Sequence, residues 1–119
     1  MFDGPTVRLA ISYDGGSQFS RVIAIDQAQP VGRPAVAILD DDSTLVCWLR
    51  RAAGHSELRS ARVMKDGRVA EQRTIAKVAP GRASGFPRVA AHGRFAILCW
   101  TSGTPSVSSV RAVQISIPQ

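Results

Sequence analysis

Ser12-Tyr13-Asp14-Gly15-Gly16-Ser17-Gln18-Phe19 lies between two apolar runs, Val7-Arg8-Leu9-Ala10-Ile11 before it and Val22-Ile23-Ala24-Ile25 after it. Alternation on both sides of an Asp-Gly-Gly turn predicts a β-hairpin. The Asp14 carboxylate can accept backbone N–H bonds from the residues that follow it. The glycines can take positive φ, since no Cβ stands in the way. Ser12 can add a hydroxyl bond, and the Phe19 ring is expected to fold back under the turn.

The pattern repeats along the chain. Asp14-Gly15 recurs as Asp66-Gly67, Cys47-Trp48 as Cys99-Trp100, Leu58-Arg59 as Val110-Arg111 and Arg21-x-Ile23 as Arg73-x-Ile75, each 52 residues on. Gly32-Arg33-Pro34-Ala35-Val36 returns as Gly85-Phe86-Pro87-Arg88-Val89 at 53, a slip that a turn absorbs. A unit of about 50 residues built of short strands and tight turns predicts a β-propeller blade of four antiparallel strands, A to D. Strands are expected near 34–39, 44–50, 57–64 and 69–78. The second of them, Leu45-Val46-Cys47-Trp48-Leu49, is apolar on both faces, as suits a sheet packed between two others. No segment carries an apolar stripe at helical period.

The expected fold is therefore all-β: β-propeller blades of four-stranded antiparallel sheets in an incomplete ring. Residues 1–30 supply the end of one blade, 31–79 a complete blade, and 80–119 a partial blade. The strand order CD-ABCD-ABC does not close on itself. Such an order is expected of the C-terminal piece of a longer propeller, of a truncated reading frame, or of several copies that close a ring together. The expected partners are accordingly the remaining blades or further copies of the chain, because open sheet edges and faces invite association.

The first turn resembles the Asp box of sialidases and related β-propellers, Ser-x-Asp-x-Gly-x-Thr-Trp/Phe. Ser12, Asp14, Gly16 and Phe19 match it, and Gln18 stands where Thr is usual. In the second repeat, Asp66 and Gly67 remain, while the Ser, the second Gly and the aromatic are lost. Gly85-Phe86-Pro87-Arg88-Val89-Ala90 and Leu98-Cys99-Trp100-Thr101 are similar to strand A and strand B segments of bacterial sialidase-like BNR-repeat proteins. An Asp box is a folding motif, so the resemblance bears on architecture more than on activity. In such blades the A–B and C–D turns share one face of the disc. That places Asp14, Asp66, the Asp40-Asp41-Asp42 turn and His92 together.

The other face is expected to carry Arg33, Arg50, Arg51, Arg82 and Arg88 against Asp26 and Glu57. Sialidases bind the substrate carboxylate with three arginines, whose planar forks match carboxylate geometry. Arg33-Pro34 faintly echoes their Arg-Ile-Pro motif without its middle residue. Strand A is innermost in a propeller, so Arg33, Arg82 and Arg88 are the anion-binding candidates, and Arg50 and Arg51 are expected to stay solvated. Sialidases use a tyrosine nucleophile. The only tyrosine, Tyr13, lies in the turn on the opposite face, and the two glutamates, Glu57 and Glu71, have no tyrosine on their own face. The resemblance implies a non-catalytic propeller segment, structural and glycan- or anion-binding. The alternative is the C-terminal part of an exo-sialidase or related glycoside hydrolase.

Composition narrows the remaining classes. The net charge of +6 is carried by arginine, with Lys65 and Lys77 the only lysines. The arginines are scattered, which suits carboxylate or sulfate ligands and does not point to nucleic acid. No apolar run approaches the roughly 20 residues of a membrane span. Met1-Phe2-Asp3-Gly4-Pro5 has no signal-peptide character, although related proteins are often exported. Cys47 and Cys99 each precede a tryptophan and are expected to be free thiols. No His/Cys cluster has zinc spacing, Asp40–Asp42 reads as a solvated hairpin turn, and no metal or cofactor is expected. Gly-x-Ser-x-Gly, P-loop and HExxH patterns do not occur.

Overall fold

Runs rich in Val, Ile, Thr and aromatic residues favour the pleated backbone, and Asp, Gly and Ser between them favour turns. The computed structural model describes residues 6–27, 30–78, 87–103 and 106–117. Among these the chain forms nine strands and no helix. They are β1 (Val7–Leu9), β2 (Ile23–Asp26), β3 (Pro30–Ile38), β4 (Thr44–Ala52), β5 (His55–Val63), β6 (Val69–Val78), β7 (Arg88–His92), β8 (Phe95–Gly103) and β9 (Ser108–Ser116). Each strand pairs antiparallel with its neighbour in sequence. The result is a first sheet β1-β2, a second sheet β3-β4-β5-β6 and a third sheet β7-β8-β9. The fold is all-β with antiparallel sheets.

The strand expected at 34–39 begins earlier, at Pro30, which pairs with Arg50. Its register then lapses between Val31 and Ala35, across Pro34, which has no N–H to give to the ladder. Strand β6 slips twice against β5, and one slip encloses Glu71, which takes a positive φ of 52°. A bulge of this kind re-aims a side chain, and the Glu71 carboxylate reaches Arg62 on β5. Two-residue connections join β4 to β5 and β7 to β8, with Ala52 opposite His55 and His92 opposite Phe95.

Alternation along β4 divides the core. Leu45, Cys47 and Leu49 form one cluster with Leu58 and Val78 of the second sheet and Ala96, Leu98 and Trp100 of the third. Val46 and Trp48 face the other way and join Ala61 and Val63 to Val7 and Ile25 of the first sheet. The second sheet is thus packed on both faces. Trp48 is fully buried, and its Nε1–H donates to Asp26 Oδ2 on β2 at 2.6 Å. A buried indole N–H needs such an acceptor. Cys47 is buried and Cys99 half-buried, both as free thiols, and burial pushes the Cys47 thiol up to about 12, so it stays protonated.

Two surfaces are left open. The first sheet has two strands, and Val36 and Ile38 on β3, beyond its reach, are 53% and 65% exposed. The outward face of the third sheet presents Phe95, Ile97 and Val110 to solvent.

Val36 and Val46 sit opposite each other on adjacent strands, one half-exposed and one 1% exposed. Urea unfolding should therefore separate them. Val46→Ala is expected to cost about 2 kcal/mol through lost burial and the cavity it leaves. Val36→Ala should cost less than about 0.5 kcal/mol.

Candidate functional site

Strand direction decides which loops share an end of the molecule. Strands β3 and β7 lie side by side from adjacent sheets. Leu39, Asp40 and Asp41, which follow β3, line one cleft with Gly93 and Arg94, which follow β7. The two strands therefore run in the same direction. The start of β3 lies at the opposite end, where Pro30 pairs with Arg50 near the β4–β5 turn, while Arg33 falls within the strand and Arg88 opens β7 opposite Cys99.

The first end gathers the turns. In the loop between β1 and β2, Ser12 Oγ donates to Asp14 Oδ1 at 2.8 Å and accepts from Gly16 N at 2.8 Å. Asp14 Oδ1 also accepts from Gln18 N at 3.0 Å. Gly15 and Gly16 take φ of 73° and 97°. The Gln18 bond, followed by that from Ser12, holds the Asp14 carboxyl below its ordinary value. The loop is closed by Ser20 N donating to Ile11 O at 2.7 Å. Phe19 does not fold beneath it. Phe19 is 64% exposed, and the turn is held by its polar bonds without the ring.

In the second repeat Asp66 Oδ1 accepts from Arg68 N at 3.0 Å, and Gly67, at φ 92°, lies against Ile23 of the first sheet. Lys65 bridges the two loops, with Nζ 5.4 Å from the centre of the Tyr13 ring and 3.5 Å from Asp42 Oδ2. The Asp40–Asp42 turn, expected to be a solvated hairpin turn, is exposed at all three aspartates. Asp41 accepts from Ser43 N at 3.0 Å and pairs with Arg62.

Arg62 is the residue that sequence reasoning missed. It is buried on β5, where its guanidinium donates from Nε to Ser43 Oγ at 3.0 Å and from Nη1 to Glu71 Oε2 at 3.1 Å, besides meeting Asp41. Burial works against its charge, but Glu71 and Asp41 outweigh it, so its pKa is raised. The local sequence, Leu58-Arg59-Ser60-Ala61-Arg62-Val63, carries no signal of this, since only packing buries Arg62. The cleft above it, about 470 Å³, is lined by Leu39, Asp40, Asp41, Arg62, Gly93, Arg94 and Ile117. Arg62 is already bound to its carboxylates, so its role there is to hold the β3–β4 turn onto β5 and β6.

The opposite end pairs Arg50 with Glu57. Here Arg50, expected to be solvated, is half-buried. Its Nε and Nη2 both donate to Glu57 Oε1, at 3.3 and 2.9 Å, and its Nη1 stands 3.9 Å from Asp26 Oδ2. The Arg50 bond, against a desolvation that opposes it, lowers the Glu57 pKa. Asp26 therefore meets Trp48 and Arg50 together, and that cluster ties β2 to β4. Arg33, Arg51 and Arg88 are exposed. Arg88 pairs in register with Cys99 on the outward face of the third sheet. Arg82 lies outside the described residues. His55 Nδ1 is 2.9 Å from Ala53 O within its own turn.

Among the described residues no group of three or more His, Cys, Asp or Glu stands together as a metal-ligand set, and no helix is long and apolar enough to cross a membrane. Compared with models of protein families, with curated proteins and with solved structures, the chain finds no match.

Asp41 makes stability depend on acid. Its carboxyl, ordinarily near 3.8, is held at about 2 by Ser43 first and Arg62 after it. A depressed folded-state pKa stabilises fully above the unfolded value and is lost as pH falls through the folded one. Thermal unfolding should show wild type ahead of Asp41→Asn above about pH 4, with the gap closing between about pH 4 and pH 2. A gap that stays constant through that window would remove Asp41 from the account.

Proposed function

We propose that the chain is a non-catalytic segment of a sialidase-like β-propeller, whose three sheets serve as successive blades and whose exposed arginines receive a carboxylate-bearing sugar. One observation carries most of this reading: the second sheet, with its four strands in sequence order, is buried between a two-stranded and a three-stranded neighbour. Strands β3 and β7, the first of their sheets, lie side by side and run the same way, as innermost strands of adjacent blades do. Arg33, within β3, and Arg88, the first residue of β7, are both exposed. The Arg50 fork is held by Glu57 and is assigned to positioning its end of the sheet.

Planar guanidinium forks bind carboxylate in a bidentate manner, and a charge-assisted contact contributes roughly 1.5–3 kcal/mol before solvent screening. Titrating sialic acid and a neutral hexose against the labelled protein tests this. The acid should shift amide signals around Arg33 and Arg88 while the hexose leaves them in place. Arg88→Ala should weaken binding of the acid about tenfold. Equal responses to both sugars, or to neither, would refute the anion site.

A further inference from the structure

The repeat and the packing together point to a docking surface. Within the chain, the face of β4 that bears Leu45 and Cys47 is covered by Leu98 and Trp100 of the next sheet. Fifty-two residues later the equivalent residues are Ile97 and Cys99 on β8. Strand β8 buries Ala96, Leu98 and Trp100 against the second sheet and turns Phe95 and Ile97 outward. Cross-strand partners Ala90 and Gln114 flank Ile97, and His92 and Ser116 flank Phe95. This sheet face repeats much of the apolar stripe of its counterpart in the second sheet, with Thr101 where that one has Leu49, and among the described residues no sheet covers it.

The complementary vacancy lies on the other side of the second sheet. There Val46 and Trp48 are covered by the first sheet, but Val36 and Ile38, pairing with Val46 and Thr44 on the same face, are bare. The bare row is continuous with an interface the molecule already makes. Its charges also match. The β3–β4 turn that ends this row carries Asp40, Asp41 and Asp42, of which Asp41 already meets Arg62 and Asp42 meets Lys65, and the β7–β8 turn that ends the outward face carries Arg94. Within one molecule the acidic turn already stands across a cleft from Gly93 and Arg94.

We infer that copies of this chain associate head to tail, the outward face of the third sheet of one covering the Val36–Ile38 row of the next. The contact is heterologous, each copy offering one of each surface. Strands β7 and β8 of the arriving copy lie over β3, with the His92–Arg94 turn beside the aspartates. Beyond them β9 comes up against β1, the shortest strand at three residues, whose displacement would accompany deeper docking.

A heterologous contact has a signature that sedimentation velocity can read. Wild type should form multimers whose population grows with concentration. Ile38→Lys and Ile97→Lys each remove one of the two surfaces at an exposed position, so each alone should be monomeric, with its circular dichroism unchanged. Mixed one to one, they should form a dimer and stop there, since one intact surface of each kind remains. Val36→Lys with Phe95→Lys provides a second pair should either isoleucine variant fail to fold. Several results would overturn the inference: wild type remaining monomeric, either variant associating as wild type does, or the mixture staying monomeric. Association by Ile38→Lys alone would mean that the third sheet pairs with itself.

Discussion

The second sheet cannot stand alone. Strand β4 places Leu45, Cys47 and Leu49 on one face and Val46 and Trp48 on the other, so exposing either face to water costs free energy. That constraint explains why sheets lie on either side of it. It also explains how β1, with three residues, persists in a two-stranded hairpin of a kind that is marginal on its own. The first sheet is held by what Val7 and Ile25 bury against Val46 and Trp48, and by little within itself.

Polar groups fix the ends of this stack, and they do so differently. At one end Arg62 is a buried cation whose fork is shared among Ser43, Asp41 and Glu71, so the β3–β4 turn and the β6 bulge are fastened to the same side chain. Removing one partner from such a cluster costs more than the cluster itself contributes, because the remaining charge stays buried. At the other end Asp26 accepts from Trp48 and approaches Arg50, which Glu57 grips in turn. The positive φ of Glu71 belongs to the first of these fastenings, since the bulge is what brings its carboxylate to Arg62.

Much of the strand plan was legible, because a sheet buried on both faces writes itself as an apolar run and a half-buried one as alternation. Expected strands at 44–50, 57–64 and 69–78 correspond to β4, β5 and β6 within two residues at each end. The start of β3 was not legible, since Gly32-Arg33-Pro34 reads as a turn while the structure carries pairing back to Pro30. Side-chain pairings were harder still. Nothing local to Arg50 or Arg62 says that they will meet Glu57 and Asp41, for the first pair arises from strand register and the second from the β3–β4 turn closing over β5. Phe19 failed for the converse reason: the Ser12 and Asp14 bonds complete the turn without its ring. Of the anion candidates, Arg33 falls within β3, where its register lapses, and Arg88 opens β7 opposite Cys99, placements that follow from strand register and not from any local pattern.

The central claim is that the second sheet takes its stability from neighbours on both faces. Native-state hydrogen exchange tests this most directly, because it reads the opening free energy of each strand. The amides of β4 and β5 should be the slowest in the molecule and should exchange only through global unfolding, with those of β2 and β9 opening earlier. Amides of β4 exchanging as fast as those of β2 or β9 would contradict the account, since the sheets would then open as independent units.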